Sequence, residues 1–298
     1  MTSVPGARSR FAVPDRLAGS RRLQLLVIGL PVCAWILWWL GGAYATLLIQ
    51  SLWKTQGFGV VPIWNLDSYA KVLTQDYFLK TLGKSFLIAG VTVVLATALA
   101  FPVAYYITFK MTKRRSLGYV MVIVPLWVSY LVRAYAWKVI LGEQGFLNTA
   151  LMGLGIIQQP LSFLLYSPLA VILTLTHIYT PFMILTIYAV LEHIPQSYIE
   201  ASRDLGAGGL RTFVRVTLPL AMPGILAGGL FSFGLAAGDF VAPLLVGGPE
   251  AVMISNIIAS QFGAANDWPL GAALAATMLA AMIVVIRLAS WVEAKSLT

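Results

Sequence analysis

The chain has 298 residues, of which 59% are hydrophobic and 10% are charged. A soluble domain carries about 25% charged residues, so this composition excludes a soluble globular protein and indicates an integral membrane protein. The formal net charge of +9 does not indicate nucleic-acid binding, because the basic residues cluster at the ends of apolar segments, as membrane topology requires.

Six apolar segments are long enough to cross a bilayer as helices. A span needs about 20 mostly apolar residues, because each helical residue rises about 1.5 Å and the hydrocarbon core is about 30 Å thick. The first apolar run is about twice as long as the apolar region of a signal peptide, which predicts a retained anchor. The predicted spans lie near residues 24–50, 84–108, 117–141, 165–190, 222–246 and 268–288.

The distribution of Lys and Arg predicts the orientation of these spans. With six spans, the basic segments before the first span and after the second, fourth and sixth spans all fall on one side, which is then the cytoplasm. We therefore predict a cytoplasmic tail at residues 1–22, a six-span domain at residues 23–290 and a second cytoplasmic tail at residues 291–298. The basic residues that carry this prediction are Arg8, Arg10, Arg16, Arg21, Arg22, Lys110, Lys113, Arg114, Arg115, Arg203, Arg211, Arg215, Arg287 and Lys295.

A polar stretch with specific spacing follows the fourth span. Glu200-Ala201-Ser202 is followed by Gly206 six residues after the Glu, and Pro219 comes thirteen residues after that Gly. Proline at a helix start and glycine at a helix end predict a short helix that begins at Pro195 and ends at Gly206, with a positive φ at the glycine. Ile199, Ser202 and Leu205 are predicted to share a face of it, and a second helical piece over residues 210–216 is predicted to close at Pro219.

This spacing resembles the EAA loop of bacterial ABC importer permeases, in which Glu-Ala-Ala is followed by Gly and then by Ile-x-Leu-Pro. Ser202 and Val216 are mild departures from that pattern, and an ordinary amphipathic connector would not require the spacing. The resemblance implies an all-α integral membrane protein with six transmembrane helices in the type I, MetI-like architecture, and a cytoplasmic loop at residues 191–221 that couples the membrane subunit to an ATPase. The positions that match the loop are Glu200, Ala201, Ser202, Asp204, Gly206, Leu218 and Pro219.

Further segments resemble the spermidine and putrescine importer permeases. The resemblance implies import of a small cationic solute, although the wider group also handles other small solutes such as amino compounds and aminophosphonates. It implies three partners in the bacterial inner membrane system: a homologous second permease, a cytoplasmic ATPase dimer and an extracytoplasmic solute-binding protein. No cofactor is expected in this chain, because ATP and Mg²⁺ would be bound by the ATPase. The segments that carry the resemblance are residues 65–69, 124–127, 131–137, 145–148, 238–241, 247–249 and 267–271.

Asp239 is the one acidic residue within a predicted span. Charges at membrane depth are costly and usually face protein or a water-filled cavity. Two interpretations remain open: a carboxylate that attracts a cationic amine, or an internal ion pair with Arg133 or Lys138. Trp127, Tyr130 and Arg133 complete the candidate solute pathway, since aromatic faces attract ammonium groups, while an interfacial aromatic belt is the alternative for the aromatic residues.

Two other classes of membrane protein fit the sequence less well. A membrane-embedded enzyme would need clustered Asp, Glu, His or Ser side chains at depth, and Asp239 stands alone. An ion-driven secondary transporter would show inverted repeats with paired broken helices, and no such pair is found. The Gly83-Lys84-Ser85 triplet imitates the end of a phosphate-binding loop, but Phe78 stands where the first glycine is required. We therefore predict that the chain is not an enzyme and that the ATPase is another chain.

Overall fold

The computed structural model describes residues 21–57, 59–111 and 114–296, with the side chains of residues 29–57, 59–111 and 114–291. The predicted cytoplasmic tail at residues 1–20, with Arg8, Arg10 and Arg16, and the basic Lys113 lie outside the described residues, as does the end of the second tail at residues 297–298. The chain divides into one unit that ends at Gln50 and another that begins at Ser51.

The described residues are almost entirely helical. In chain order the helices are α1 (Arg21–Ile36), α2 (Gly42–Gln50), α3 (Asp67–Thr74), α4 (Asp76–Phe109), α5 (Arg115–Ile123), α6 (Tyr130–Leu141), α7 (Phe146–Gly153), α8 (Pro168–Leu191), α9 (Gln196–Asp204), α10 (Gly209–Thr212), α11 (Leu218–Gly238), α12 (Ile254–Phe262) and α13 (Trp268–Ser296). A short antiparallel hairpin joins β1 (Lys54–Gln56) to β2 (Gly59–Val61) between α2 and α3.

Five helices in the described part of the chain are long and apolar enough to cross a membrane. They are Gly29–Gln50, Asp76–Phe109, Pro168–Leu191, Gly209–Gly238 and Trp268–Trp291. A sixth span exists if the bent pair Arg115–Trp127 and Tyr130–Gly153 is counted as one crossing. The all-α, multi-span architecture predicted from the apolar runs is confirmed. The second span begins at Asp76 instead of near residue 84, and the third and fifth spans differ more from their predictions.

The third span is not the straight helix predicted over residues 117–141. Its two halves meet at 86°. The first half tightens into a 3₁₀ turn at Val124–Trp127 that contains Pro125, and Val128 and Ser129 are extended before α6 begins. Proline lacks the backbone N–H that would continue the helix, and its ring crowds the carbonyl four residues earlier. The helix therefore tightens at Pro125, and the span bends shortly after it, at Val128 and Ser129.

The fifth span begins and ends earlier than the predicted residues 222–246. One helix runs from Gly209 to Gly238, so Pro219 lies inside it and does not close the preceding segment. A π-helical turn at Phe213–Thr217 comes just before Pro219, and this wider turn accommodates a proline ring that would otherwise meet the carbonyl of Arg215. The helix then breaks at Asp239, where ψ is 124°.

Helices α4, α8 and α11 pack against one another and form most of the core of the unit that begins at Ser51. Small residues on α11 permit close approach to α8, since a Cβ at Gly224 would lie 2.9 Å from the carbonyl oxygen of Thr186 and 2.9 Å from a methyl carbon of Val190. A Cβ at Gly228 would collide with Thr186 Oγ1, so this position also has no room for a side chain. Gly224 and Gly228 therefore form a small-residue stripe that lets the two helices approach closely.

Candidate functional site

The EAA-type loop, residues 191–221, is a helix, a tight turn and a second helix. Pro195 precedes α9, Ile199 is buried on its inner side, and the helix ends in a Schellman turn. In that turn the N–H of Gly206 donates to the carbonyl of Arg203 at 2.8 Å, and the N–H of Ala207 donates to that of Ser202 at 3.1 Å. The predicted positive φ at Gly206 is confirmed, because its φ is +81°.

A hydroxyl pair joins the two helices of this loop. Ser202 Oγ lies 3.1 Å from Thr212 Oγ1, which places α9 beside α10. Of the predicted shared face of Ile199, Ser202 and Leu205, Ile199 is buried and Leu205 is 88% exposed, while Ser202 and Leu205 line the same groove. Leu205 follows the last residue of α9, so the turn at Gly206 carries it away from the interior.

The matched positions of the loop separate into two groups. Glu200, Ala201 and Asp204 are exposed on α9. Leu218 packs against the core where α11 begins, and Pro219 is exposed one residue later. The EAA positions therefore lie on the surface of the loop, and Leu218 anchors the end of the loop by packing against the core of the spans.

A groove of about 540 Å³ lies between α9 and the helical segment that follows it. Its lining residues are Tyr198, Ala201, Ser202, Leu205, Ala207, Arg211, Arg215 and Val216. Leu205 is 88% exposed, and Leu210, on the segment that follows α9, is 78% exposed. Exposed apolar side chains rimmed by polar groups are typical of protein–protein interaction sites, so this groove can receive side chains of another protein.

Asp239 lies in a closed polar cluster at the other end of α11. The side chain is 8% exposed. The hydroxyls of Tyr130 and Tyr179 both donate to its Oδ2, the latter at 2.9 Å. The backbone N–H groups of Val241 and Ala242 donate to Oδ1 at 2.9 and 3.0 Å. Asp239 thus caps the short helix at residues 241–247 that follows the break.

The part of the chain that the structure describes does not contain the ion pair that was one of the two interpretations of Asp239. Among the described residues no Lys or Arg nitrogen lies within 4.0 Å of its carboxylate. Arg133 donates from Nη1 to the carbonyl of Ile178 at 3.4 Å, and the Lys138 ammonium lies 5.8 Å from the centre of the Tyr166 ring. Because α6 begins only after the bend, its first residue, Tyr130, faces Asp239 and the two cations do not.

The candidate solute-pathway residues do not form one cluster. Tyr130 contacts Asp239, Arg133 lies one turn further along α6, and Trp127 is 81% exposed in the 3₁₀ turn before the bend. Tyr179, which is 6% exposed on α8, is a member of this cluster that was not predicted from the sequence. A signal for it was present, since the hydroxyl of a tyrosine within a charge-free apolar span needs a hydrogen-bond partner. Within the described residues, no group of three or more His, Cys, Asp or Glu could hold a metal ion.

Comparison with known proteins identifies the family. Residues 96–297 match the family model described as the inner membrane component of binding-protein-dependent transport systems. The chain is 37% identical over 220 residues to the spermidine/putrescine transport system permease protein PotB of Escherichia coli K12, covering 74% of this chain and 79% of the relative. It is 36% identical over 276 residues to the inner membrane ABC transporter permease protein YdcU of the same organism, covering 85% of each.

A solved structure has the same fold. A bacterial ABC transporter involved in import of the acidic polysaccharide alginate superposes with a TM-score of 0.73 at 19% identity, covering 92% of this chain and 96% of that one. Its helices support the MetI-like permease architecture, and the family model spans the bent third span, the EAA-type loop and the Asp239 cluster. The chain therefore belongs to the inner membrane components of binding-protein-dependent transport systems.

Proposed function

We propose that this chain is a permease subunit of an ATP-driven importer of polyamines such as spermidine and putrescine. The observation that carries the proposal is the groove of the EAA-type loop, which is lined by Ala201 and the exposed Leu205; Leu210 is also exposed in this loop. The similarity to PotB supports the polyamine as solute. The subunit provides the membrane pathway and performs no covalent chemistry.

The loop is proposed to dock into a cytoplasmic ATPase through Glu200, Ala201 and Gly206, with Leu205 exposed on the same loop. Burying an apolar side chain such as Leu contributes about 1.5–3 kcal/mol, so two exposed leucines can supply a large part of a stable contact. Arg211 and Arg215 on the rim suit an acidic partner surface. ATP and Mg²⁺ are bound by the ATPase in this proposal, and none is held by this chain.

The assembly is proposed to contain a homologous second permease, an ATPase dimer and an extracytoplasmic solute-binding protein. Both termini are placed in the cytoplasm, with the EAA-type loop on the same side. Closure of the ATPases on ATP moves the loops and rocks the two permeases, which changes the side of the membrane to which the central pathway opens. Because α8 leads directly into the loop and α11 leads out of it, both helices carry this movement.

Trp127 is the proposed solute contact within this chain. It is 81% exposed at the bend of the third span, where a partner subunit can complete a pathway around it. An aromatic face attracts an ammonium group by about 0.5–2 kcal/mol, which suits a polyamine that must bind and then leave.

Reconstitution tests this proposal. The chain is purified with its partner permease and ATPase, placed in proteoliposomes, and supplied with its binding protein and radiolabelled spermidine or putrescine. We expect uptake that requires ATP and the binding protein, and none when the ATPase is omitted. Competition by 2-aminoethylphosphonate instead of polyamine would assign a different solute to the same machinery. Uptake driven by an ion gradient without ATP would contradict the proposal and indicate a secondary transporter.

A further inference from the structure

We call residues 239–262 the return segment. It begins at the break after α11 and ends with α12. We propose that Asp239 is a positioning residue that holds the return segment closed against α4, α6 and α8, and that the solute does not contact it. The proposal rests on the importer function for its meaning in transport, but its geometry is independent of that function.

The carboxylate of Asp239 has no free acceptor site for a solute. An ionised carboxylate offers about four lone-pair positions. Two tyrosine hydroxyls occupy Oδ2, and two backbone N–H groups occupy Oδ1. A polyamine ammonium would have to displace a donor from a side chain that is 8% exposed. The donor that left would then be buried without a partner, which costs free energy.

The donors come from three parts of the chain. Tyr130 is the first residue of α6, Tyr179 lies in the middle of α8, and Val241 and Ala242 begin the helix after the break. Asp239 therefore connects the far half of the bent third span to the fourth span and to the return segment. Any movement of α8 relative to α6 must break a hydrogen bond to Asp239 or carry the return segment with it.

Further hydrogen bonds fasten the rest of the return segment. Ser255 Oγ donates to the carbonyl of Asp239 at 2.6 Å, and Asn256 Nδ2 donates to that of Phe240 at 2.7 Å. The N–H of Ile254 donates to Ser85 Oγ at 2.8 Å. This last contact, with Lys84 Nζ donating to the carbonyl of Glu250 at 2.9 Å, gives the Gly83-Lys84-Ser85 triplet a structural role in place of phosphate binding.

The inner side chains of the return segment are inaccessible to solvent in this arrangement. Val246, Ala251 and Met253 are all 0% exposed. A probe that reaches one of these positions therefore reports release of the segment. If Asp239 holds the segment, weakening its hydrogen bonds raises the fraction of time that such a position is accessible.

The experiment measures the labelling rate of a cysteine at a sealed position. In the complete transporter without ATP, with Cys33→Ser to remove the native thiol, Val246→Cys is exposed to a membrane-impermeant maleimide. The test variants are Tyr130→Phe, Tyr179→Phe and Asp239→Asn, which keep side-chain volume. Tyr135→Phe is the matched control, because Tyr135 lies on the same helix as Tyr130, is 52% exposed and is outside the cluster.

We expect each test variant to raise the labelling rate by about tenfold or more, since each weakens a hydrogen bond to a charged group, and the control to leave it unchanged. The solute concentration at half-maximal uptake should stay within about twofold in the two Phe variants. If Asp239→Asn reduces the amount of folded transporter, the two Phe variants carry the test alone. If the transporter without these substitutions imported no polyamine, the importer proposal would fail, but the labelling result would still test the role of Asp239.

One pattern of results would overturn the inference. It is unchanged labelling in both Phe variants, together with a half-saturation concentration that rises about tenfold in Asp239→Asn alone. That pattern would place the carboxylate in the solute pathway, because removal of its charge would then weaken solute binding without releasing the return segment.

Discussion

The EAA-type loop and the return segment lie at opposite ends of the long helix that runs from Gly209 to Gly238, and they are built in opposite ways. The EAA-type loop leaves Leu205 and Leu210 88% and 78% exposed beside an open groove. The return segment buries Val246, Ala251 and Met253 completely, leaves Phe240 and Leu244 exposed, and satisfies the backbone at its helix break through Asp239. The EAA-type loop presents an open groove, whereas the hydrogen bonds around Asp239 are complete within the described residues.

This difference indicates where the chain transmits force and where it holds shape. An open apolar groove gains free energy only when a partner covers it, so its contacts can be made and broken between proteins. A buried carboxylate with four donors loses free energy whenever one is removed, so its contacts persist unless the spans move. Four predictions test the comparison, in order of decreasing expected effect.

The largest effect concerns the side of the membrane on which each region lies. A topology reporter fused after Arg215 should report the cytoplasm, and one fused after Gly248 should report the outside, because one span separates them. A fusion after Arg115 should agree with the first. If the reporters after Arg215 and Gly248 gave the same answer in stably inserted protein, Gly209–Gly238 would not cross the membrane and the comparison would fail.

The next effect concerns folding of the return segment. Gly248 has a φ of +65°, and a Cβ there would lie 2.7 Å from the carbonyl oxygen of Tyr166. Gly248→Ala combines backbone strain with overpacking, so we expect a loss of stability of about 3 kcal/mol and a clear fall in the thermal transition of the purified transporter. The control is Gly238→Ala, where nothing lies within 4 Å of the added Cβ. Equal stability of both variants would show that the return segment is loosely held.

The third effect concerns coupling without loss of folding. Gly206 has a φ of +81°, but its surroundings are open, so the strain of Gly206→Val is confined to the turn that ends α9. We expect ATP hydrolysis stimulated by the loaded binding protein to fall at least about tenfold while the amount of inserted protein is unchanged.

Gly208→Ala is the control for this third prediction, because Gly208 has a φ of −67° and nothing within 4 Å of the added Cβ. It should keep normal stimulation. Normal coupled transport by Gly206→Val would remove the turn from the ATPase contact.

The smallest effect compares one hydroxyl in each region. Ser255→Ala removes a buried hydrogen bond to the carbonyl of Asp239, whereas Ser202→Ala removes the half-buried contact with Thr212. We expect Ser255→Ala to cost about 1–2 kcal/mol of stability and Ser202→Ala about 0.5–1 kcal/mol, measured from thermal unfolding of the purified transporter. The reverse order would mean that the EAA-type loop is the more tightly held of the two regions.

The sequence by itself determined the features that depend on local physics. Span number and approximate position follow from the lengths of apolar runs, because a bilayer requires about 20 apolar residues wherever they occur. The positive φ at Gly206 also follows locally, since a glycine at the end of a short helix is the residue that adopts that conformation at no steric cost. The EAA spacing could be found because all of its residues lie within one short stretch.

The tertiary structure alone decided what depends on distant partners. Tyr130 and Tyr179 lie 109 and 60 residues from Asp239 along the chain, and no local pattern states that their hydroxyls meet its carboxylate. Pro125 and Pro219 also show that local sequence does not decide the outcome. The span that contains Pro125 bends by 86° just after it, whereas Pro219 lies inside a continuous helix. The difference arises because a π turn accommodates Pro219, whereas the chain after Pro125 continues in an extended form that directs Tyr130 toward Asp239.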